Sequence, residues 1–232
     1  MTFAEMPYQR PDLAALKADY NAITARLRGA ASYADARAAF LDNDTLERRI
    51  TTQATLASIR HSIDTRDAFY DGEKKFWNAA DPELQACRDE FTAALLESPF
   101  RADFAAEYGD LMFQNAEIAR KAFSPEIVPD LQKENDLAQE YEKLLASAQI
   151  PFEGGVYTLS QLSPCKTDAD DARRLAAWKA EGRWFKENQP KMDEIYDQLV
   201  HLRDGMGKKL GYEGYTTLGY YRMQRNCYTK AD

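Results

Sequence analysis

Histidine is almost missing from this chain: His61 and His201 are the only two in 232 residues, and they lie far apart. A His-Glu-x-x-His zinc site needs two imidazoles four residues apart on one helix face, so no such motif is present. The residues three before the histidines are Ser58 and Gln198, which removes the Glu-x-x-His pattern of di-iron bundles. Metal ligands supplied by this chain are therefore not expected, and a hydrogen-bonded structural role is the favoured reading of both histidines. Cysteine is scarce as well. Cys87, Cys165 and Cys227 are odd in number, widely spaced and without a Cys-x-x-Cys pair, so they read as free thiols. Nothing in the sequence pairs a Ser or Cys with either histidine for nucleophilic catalysis.

Other absences narrow the class further. No stretch approaches the ~20 apolar residues of a membrane span, and the opening Met1-Thr2-Phe3-Ala4-Glu5-Met6-Pro7 has no basic segment followed by an apolar one. A soluble, cytoplasmic protein is expected, with no membrane partner. With 30 basic against 38 acidic residues the net charge is -8, a surface that repels phosphate backbones, so nucleic acid is not an expected partner. Neither a Walker loop nor a Gly-x-Gly-x-x-Gly turn occurs. Only 11 glycines and 9 prolines interrupt the chain, while 44% of it is hydrophobic, the composition of an ordered, helix-rich protein.

What is present is helical period. Leu13, Leu16, Tyr20, Ile23 and Leu27 share one stripe, opened by Pro11-Asp12 and closed by Gly29. Ser32 with Asp35 starts a second helical region through about Arg60, with Asp42-Asn43-Asp44 as a possible break. Thr65 is a candidate cap for a helix carrying Phe69, Phe76 and Trp77, and Asp81-Pro82 signals a further start. Ser98-Pro99 and Ser124-Pro125 mark later boundaries, with one periodic run from Phe100 to Ile118 between them and another helix, with Leu131, Ala138, Tyr141 and Leu145 inward, ending near Ala148. Between Ile150 and Leu159 the Gly154-Gly155 pair separates two short β-prone runs, which reads as one hairpin. The acidic run Asp168-Ala169-Asp170-Asp171 then favours a helix start. Leu175, Trp178 and Phe185 define one stripe, and Met192, Ile195, Leu199, Leu202 and Met206 define the next, with Gly211 as the C-terminal stop. A tail crowded with Tyr212, Tyr215, Tyr220, Tyr221 and Tyr228 follows. The expected fold is all-α, a multi-helix bundle-like lobe with one small β-hairpin.

Several strings along the chain resemble one family. Phe3-Ala4-Glu5-Met6-Pro7-Tyr8-Gln9-Arg10-Pro11 and Arg60-His61-Ser62-Ile63-Asp64-Thr65-Arg66-Asp67-Ala68-Phe69-Tyr70 are similar to the opening of oligoendopeptidase F type peptidases, relatives of thimet oligopeptidase. Glu97-Ser98-Pro99-Phe100-Arg101, Ser124-Pro125-Glu126-Ile127-Val128, Tyr157-Thr158-Leu159-Ser160-Gln161-Leu162 and Lys209-Leu210-Gly211-Tyr212 continue the match in order, as does Leu218-Gly219-Tyr220-Tyr221-Arg222-Met223.

The resemblance implies a zinc metalloendopeptidase that hydrolyses short peptides, with its zinc ligands in a catalytic domain of which this chain holds only the start. On that reading residues 1–148 form an N-terminal helical lobe walling the substrate channel, 149–167 a hairpin connector, and 168–232 the beginning of the truncated catalytic domain. The chain alone is expected to be inactive, with no catalytic residue and no metal ligand of its own. Its partners would be an oligopeptide substrate and the missing catalytic domain. Tyr221, Arg222 and Arg225, where the chain enters that domain, are the candidate substrate contacts, ahead of Trp77, Trp178 and Trp184, which at helical spacing read mainly as core. The alternative is a stand-alone helical protein-interaction module without catalysis.

Overall fold

The computed structural model describes residues 2–225, 227–229 and 231–232. Three long helices come first, α1 (Leu13–Arg28), α2 (Tyr33–Ile63) and α3 (Ala68–Leu96). Asp12 caps α1 by accepting the Ala14 and Ala15 amides, and Gly29 ends it. Ser32 caps α2 through the Asp35 amide. The Asp42-Asn43-Asp44 stretch does not break α2, because its charges are used outward: Asp42 pairs with Arg26 at 2.6 Å and Asp44 with Arg48 one turn on at 2.8 Å.

Two expected helix starts move. The cap of α3 is Asp67, not Thr65; its carboxylate accepts the Phe69 and Tyr70 amides at 2.9 and 3.1 Å. Asp81-Pro82 begins no helix at all and lies inside α3. The Asp81 carboxylate is taken by Arg88 at 2.9 Å, and Pro82 is buried between Ala80 and Leu84, so tertiary packing carries the helix past a residue that cannot donate an amide. The single periodic run over 100–118 is likewise two helices, α4 (Arg101–Tyr108) and α5 (Asp110–Lys121), parted by Gly109 at φ 89°. After a 3-10 turn at Pro125–Ile127, α6 runs from Val128 to Ala146, with Leu137 rather than Tyr141 turned inward.

The hairpin is present as β1 (Ile150–Phe152) and β2 (Gly155–Tyr157), paired Ile150 to Tyr157 and Phe152 to Gly155. Its two turn residues are Glu153 and Gly154, at φ 48° and 77°, one position earlier than the Gly-Gly pair implies. Gly155 instead starts β2 under the Tyr157 ring, where a Cβ would come within 2.9 Å of it. A short α7 (Leu159–Leu162), capped by Thr158 and Gln161, leads to α8 (Asp171–Lys209), one 39-residue helix that carries both late stripes. Gly211, at φ 82°, stops α8 as expected: its amide returns to Lys208 and that of Tyr212 to Gly207. The last helix is α9 (Tyr215–Arg222).

By contacts the chain forms two compact units, Met1–Gln132 with Arg203–Asp232, and Lys133–Leu202. In the first, α1, α2 and α3 pack together around Tyr20, Leu46, Ile50, Trp77 and Leu84, and a neighbouring cluster joins Leu27, Ala36 and Ala39 to Phe91, Phe104 and Phe113. The inward seam of α2 reads Ala36, Ala39, Asn43, Leu46, Ile50 and Ala57. Asn43 stands between the two clusters, and its Oδ1 finds no hydrogen-bond partner among the described residues. A third cluster, Ile127, Met206 and Leu218, fixes α9. The second unit packs Ile150, Phe152, Leu162 and Cys165 against Ala177, Ala180 and Trp184 of α8. The stripe of Leu175, Trp178 and Phe185 lies on the outside of that helix. Among the described residues no helix is long and apolar enough to cross a membrane.

Candidate functional site

The candidate contacts Tyr221, Arg222 and Arg225 depend on a tight corner between α8 and α9. A Cβ on Gly207 would lie 2.3 Å from the Gly214 carbonyl oxygen, so glycine at 207 is what lets the two backbones meet, and one on Gly214 would lie 2.6 Å from Asp204 Oδ1, a side-chain atom that would have to turn aside. Lys209 pairs with Asp130 at 2.6 Å, and the Tyr212 hydroxyl donates to the Lys121 carbonyl at 2.7 Å. Burial raises the Tyr212 hydroxyl above the ordinary phenol range, with the neighbouring Tyr221 adding to it, so it is a neutral donor.

From this base the structure brings two of the three candidates into one aromatic and cationic group. The Tyr221 ring lies 5.6 Å from that of Tyr212, with the Lys121 ammonium 5.5 Å from its centre. Arg222 donates to the Tyr215 hydroxyl at 3.3 Å, and Arg203 and Arg222 stand 5.7 and 5.9 Å from the Tyr215 ring centre. Arg225 turns to the tail instead, with its guanidinium 4.8 Å from the Tyr228 ring, which meets Tyr220 edge-on. Lys121 and Arg203 join the group from other elements. Aromatic crowding marked the tail in the sequence, but nothing in the sequence marks residues about 80 to 100 positions away in α5, or one α8 arginine among several, as its neighbours. The group offers guanidinium and ammonium donors beside aromatic faces, chemistry suited to carbonyl or carboxylate oxygens and to apolar rings.

A second constellation explains the opening string of the sequence. Glu73 is 4% exposed and is clasped by Arg10, whose Nη2 and Nε reach its two oxygens at 2.7 and 3.0 Å. The Tyr8 hydroxyl also donates to Glu73, and the Trp77 indole donates to Tyr8 at 3.2 Å. Arg10 first, and Tyr8 after it, hold this carboxyl below the usual glutamate range against the opposing effect of burial. It is ionised and occupied at neutral pH, a tether for residues 8–10 rather than a proton donor. Arg60 holds the preceding residues through the Met6 carbonyl at 2.6 Å.

The histidines occupy unlike places. His61 is fully buried on α2 with Nε2 3.5 Å from Asp71, and His201 is exposed with Nδ1 2.9 Å from the Asp197 carbonyl. No group of three or more His, Cys, Asp or Glu that could hold a metal ion stands among the described residues. Trp77 and Trp184 are core residues, and Trp178 is 53% exposed.

Comparison with known proteins follows this geometry closely. The profile of the peptidase M3 N-terminal domain matches residues 3–123. A 3.1 Å X-ray structure of a protein assigned as oligoendopeptidase F is 42% identical, with a TM-score of 0.97, and the match covers 100% of this chain and 41% of that one. PZ peptidase A, solved with an inhibitor, is 38% identical over 99% of this chain and 41% of its own, with a TM-score of 0.96. A protein from Bacillus anthracis str. Ames assigned as oligoendopeptidase F is 36% identical over 100% of this chain and 42% of its own, also with a TM-score of 0.96. No curated protein sequence matches. The chain thus spans about two fifths of the length of the solved structures it resembles.

Proposed function

Because the chain belongs to the peptidase M3 family, we propose that it is the N-terminal part of a zinc-dependent oligoendopeptidase of the cytoplasm and that it walls the channel in which short peptides are cut. The observation that carries this reading is the similarity over the whole of this chain, 42% identity at a TM-score of 0.97, to 41% of a protein assigned as an oligoendopeptidase F. Residues 1–148 would be the helical lobe, 149–167 the connector and 168–232 the start of the catalytic domain. The zinc that the family resemblance implies does not fit the described residues: one histidine is enclosed beside Asp71, the other lies on the surface, and among the described residues no donor trio accompanies either. This chain's share in the reaction is therefore binding and confinement. Arg222 and Arg225 would supply charge-assisted donors to peptide carbonyls or a terminal carboxylate, and Tyr221 an aromatic face held by Lys121.

The test is to add the purified chain to a quenched-fluorescent oligopeptide with excess zinc. No cleavage is expected; chelator-sensitive cleavage would show that the chain is active unaided. The alternative, a stand-alone interaction module, draws on the closed core of α1 to α3. It requires a sharp thermal transition without binding of a hydrophobic dye.

A further inference from the structure

Helix α8 is apolar on two faces. Ala177, Ala180, Trp184 and Ile195 are buried. At 3.6 residues per turn, Leu175, Trp178, Phe185, Tyr196 and Val200 fall within a second stripe roughly 80° wide, its centre about 150° from that of the buried face. These five are 54, 53, 37, 70 and 45% exposed. The uncharged Gly182 and Gln189 and one charged residue, Asp193, which accepts from Gln189, fill positions between them. A helix that serves one core needs one apolar face, so the second points to contact with another surface.

Building on the peptidase reading above, we propose that this outward stripe of α8 is the seat of the polypeptide that makes up the remaining part of the M3 relatives. Those relatives superpose on this chain over 41 to 42% of their length, so more than half of each lies outside the part they share with it and is available to cover such a face. A second copy of this chain is a poorer occupant. Five partly exposed side chains offer on the order of 500 Å², short of the ~800 Å² per partner in stable interfaces, and two copies meeting stripe to stripe would bury little more. A larger polypeptide covers the stripe and its flanks together. From residue 175 to 200 the stripe is about 38 Å long, so its partner presents an apolar ridge of matching length, aliphatic and aromatic, without charges opposite Trp178. Trp178 is prepared as the anchor: the Lys166 ammonium lies 4.7 Å from its ring centre and is itself held by Glu181 at 2.5 Å.

The probe is the portion of the solved oligoendopeptidase F that this chain does not match, co-expressed with the tagged 232-residue chain and also titrated into it. A one-to-one complex is expected, and the double variant Trp178→Ser/Tyr196→Ser weakens it by roughly tenfold or more, as loss of an interface anchor does. Circular dichroism and the melting temperature of the double variant match the parent chain, and Leu111→Ser, an exposed apolar position on α5, leaves binding unchanged. Failure to form a complex in either format, a complex equally tight with the double variant, or a dimer of the chain alone that the double variant dissolves each overturns the proposal. Peptide hydrolysis by the complex separates the two readings. Stripe-dependent binding without hydrolysis keeps this seat and removes the peptidase role; hydrolysis with stripe-independent binding does the reverse.

Discussion

The bundle of α1 to α3 and the helix α8 treat apolar surface in opposite ways. In the bundle, large apolar side chains face one another, and the carboxylates that enter it arrive with partners: Glu73 with Arg10 and Tyr8, Glu47 with Arg88 and Tyr20. Along α8 the inward residues mix small and large, Ala177 and Ala180 with Trp184, Ile195 and Met206, while other large ones such as Trp178 and Tyr196 face out. The bundle is a finished core. The contrast teaches that hydrophobic period reports the number of apolar faces on a helix and not which of them this chain covers.

The sharpest way to break that comparison is to truncate one residue in each region. Leu84→Ala, at a fully buried position in α3, is expected to lower the unfolding free energy by about 3 kcal/mol, the transfer and cavity terms together. Trp178→Ser is expected to change it by less than about 0.5 kcal/mol despite removing a larger side chain. Urea denaturation of both variants decides; equal losses would mean that the outward face of α8 is already covered in the isolated chain.

The clasp at Glu73 sharpens the bundle side. Glu73→Gln should destabilise by about 2 kcal/mol at neutral pH, a figure below that for a fully buried pair because Arg10 is half exposed. The sign with pH follows from its lowered pKa. The unfolded carboxyl takes its proton first, near the ordinary value of about 4.3, so the contribution is complete above that pH and fades as pH falls toward the folded value. Melting temperatures of parent and variant should converge as pH is lowered below about 4; a gap that stays constant would show that the charge is not what the clasp uses.

The smallest expected effect concerns Asn43. Asn43→Leu joins the two halves of the α2 seam and removes an amide oxygen that meets no partner among the described residues, so it should stabilise by about 1 kcal/mol in chemical denaturation. A loss of stability would place an unrecognised polar contact at that position.

Much of this architecture was legible in the chain itself. The stripe from Leu13 to Leu27, the Ser32 cap and the Gly211 stop were readable because each rests on contacts within one or two turns. Asp81-Pro82 was misread because its outcome depends on Arg88, two turns on, and on burial of the ring. At the candidate site the tail aromatics could be picked out, whereas Lys121 and Arg203 could not, since only the α8 to α9 corner delivers them. The family strings found their physical reason afterwards: Tyr8 and Arg10 stand in the opening string because a buried carboxylate from α3 needs both.

That corner has a consequence for mutants. Where Gly207 faces Gly214, a single methyl group acts as a wedge between two stretches of backbone that have no side chain to yield. An alanine there should leave α1 to α3 folded while loosening α9 by about 1 to 3 kcal/mol. The phenotype would be conditional: near-normal behaviour in the cold and loss of the Tyr221 and Arg222 platform on warming.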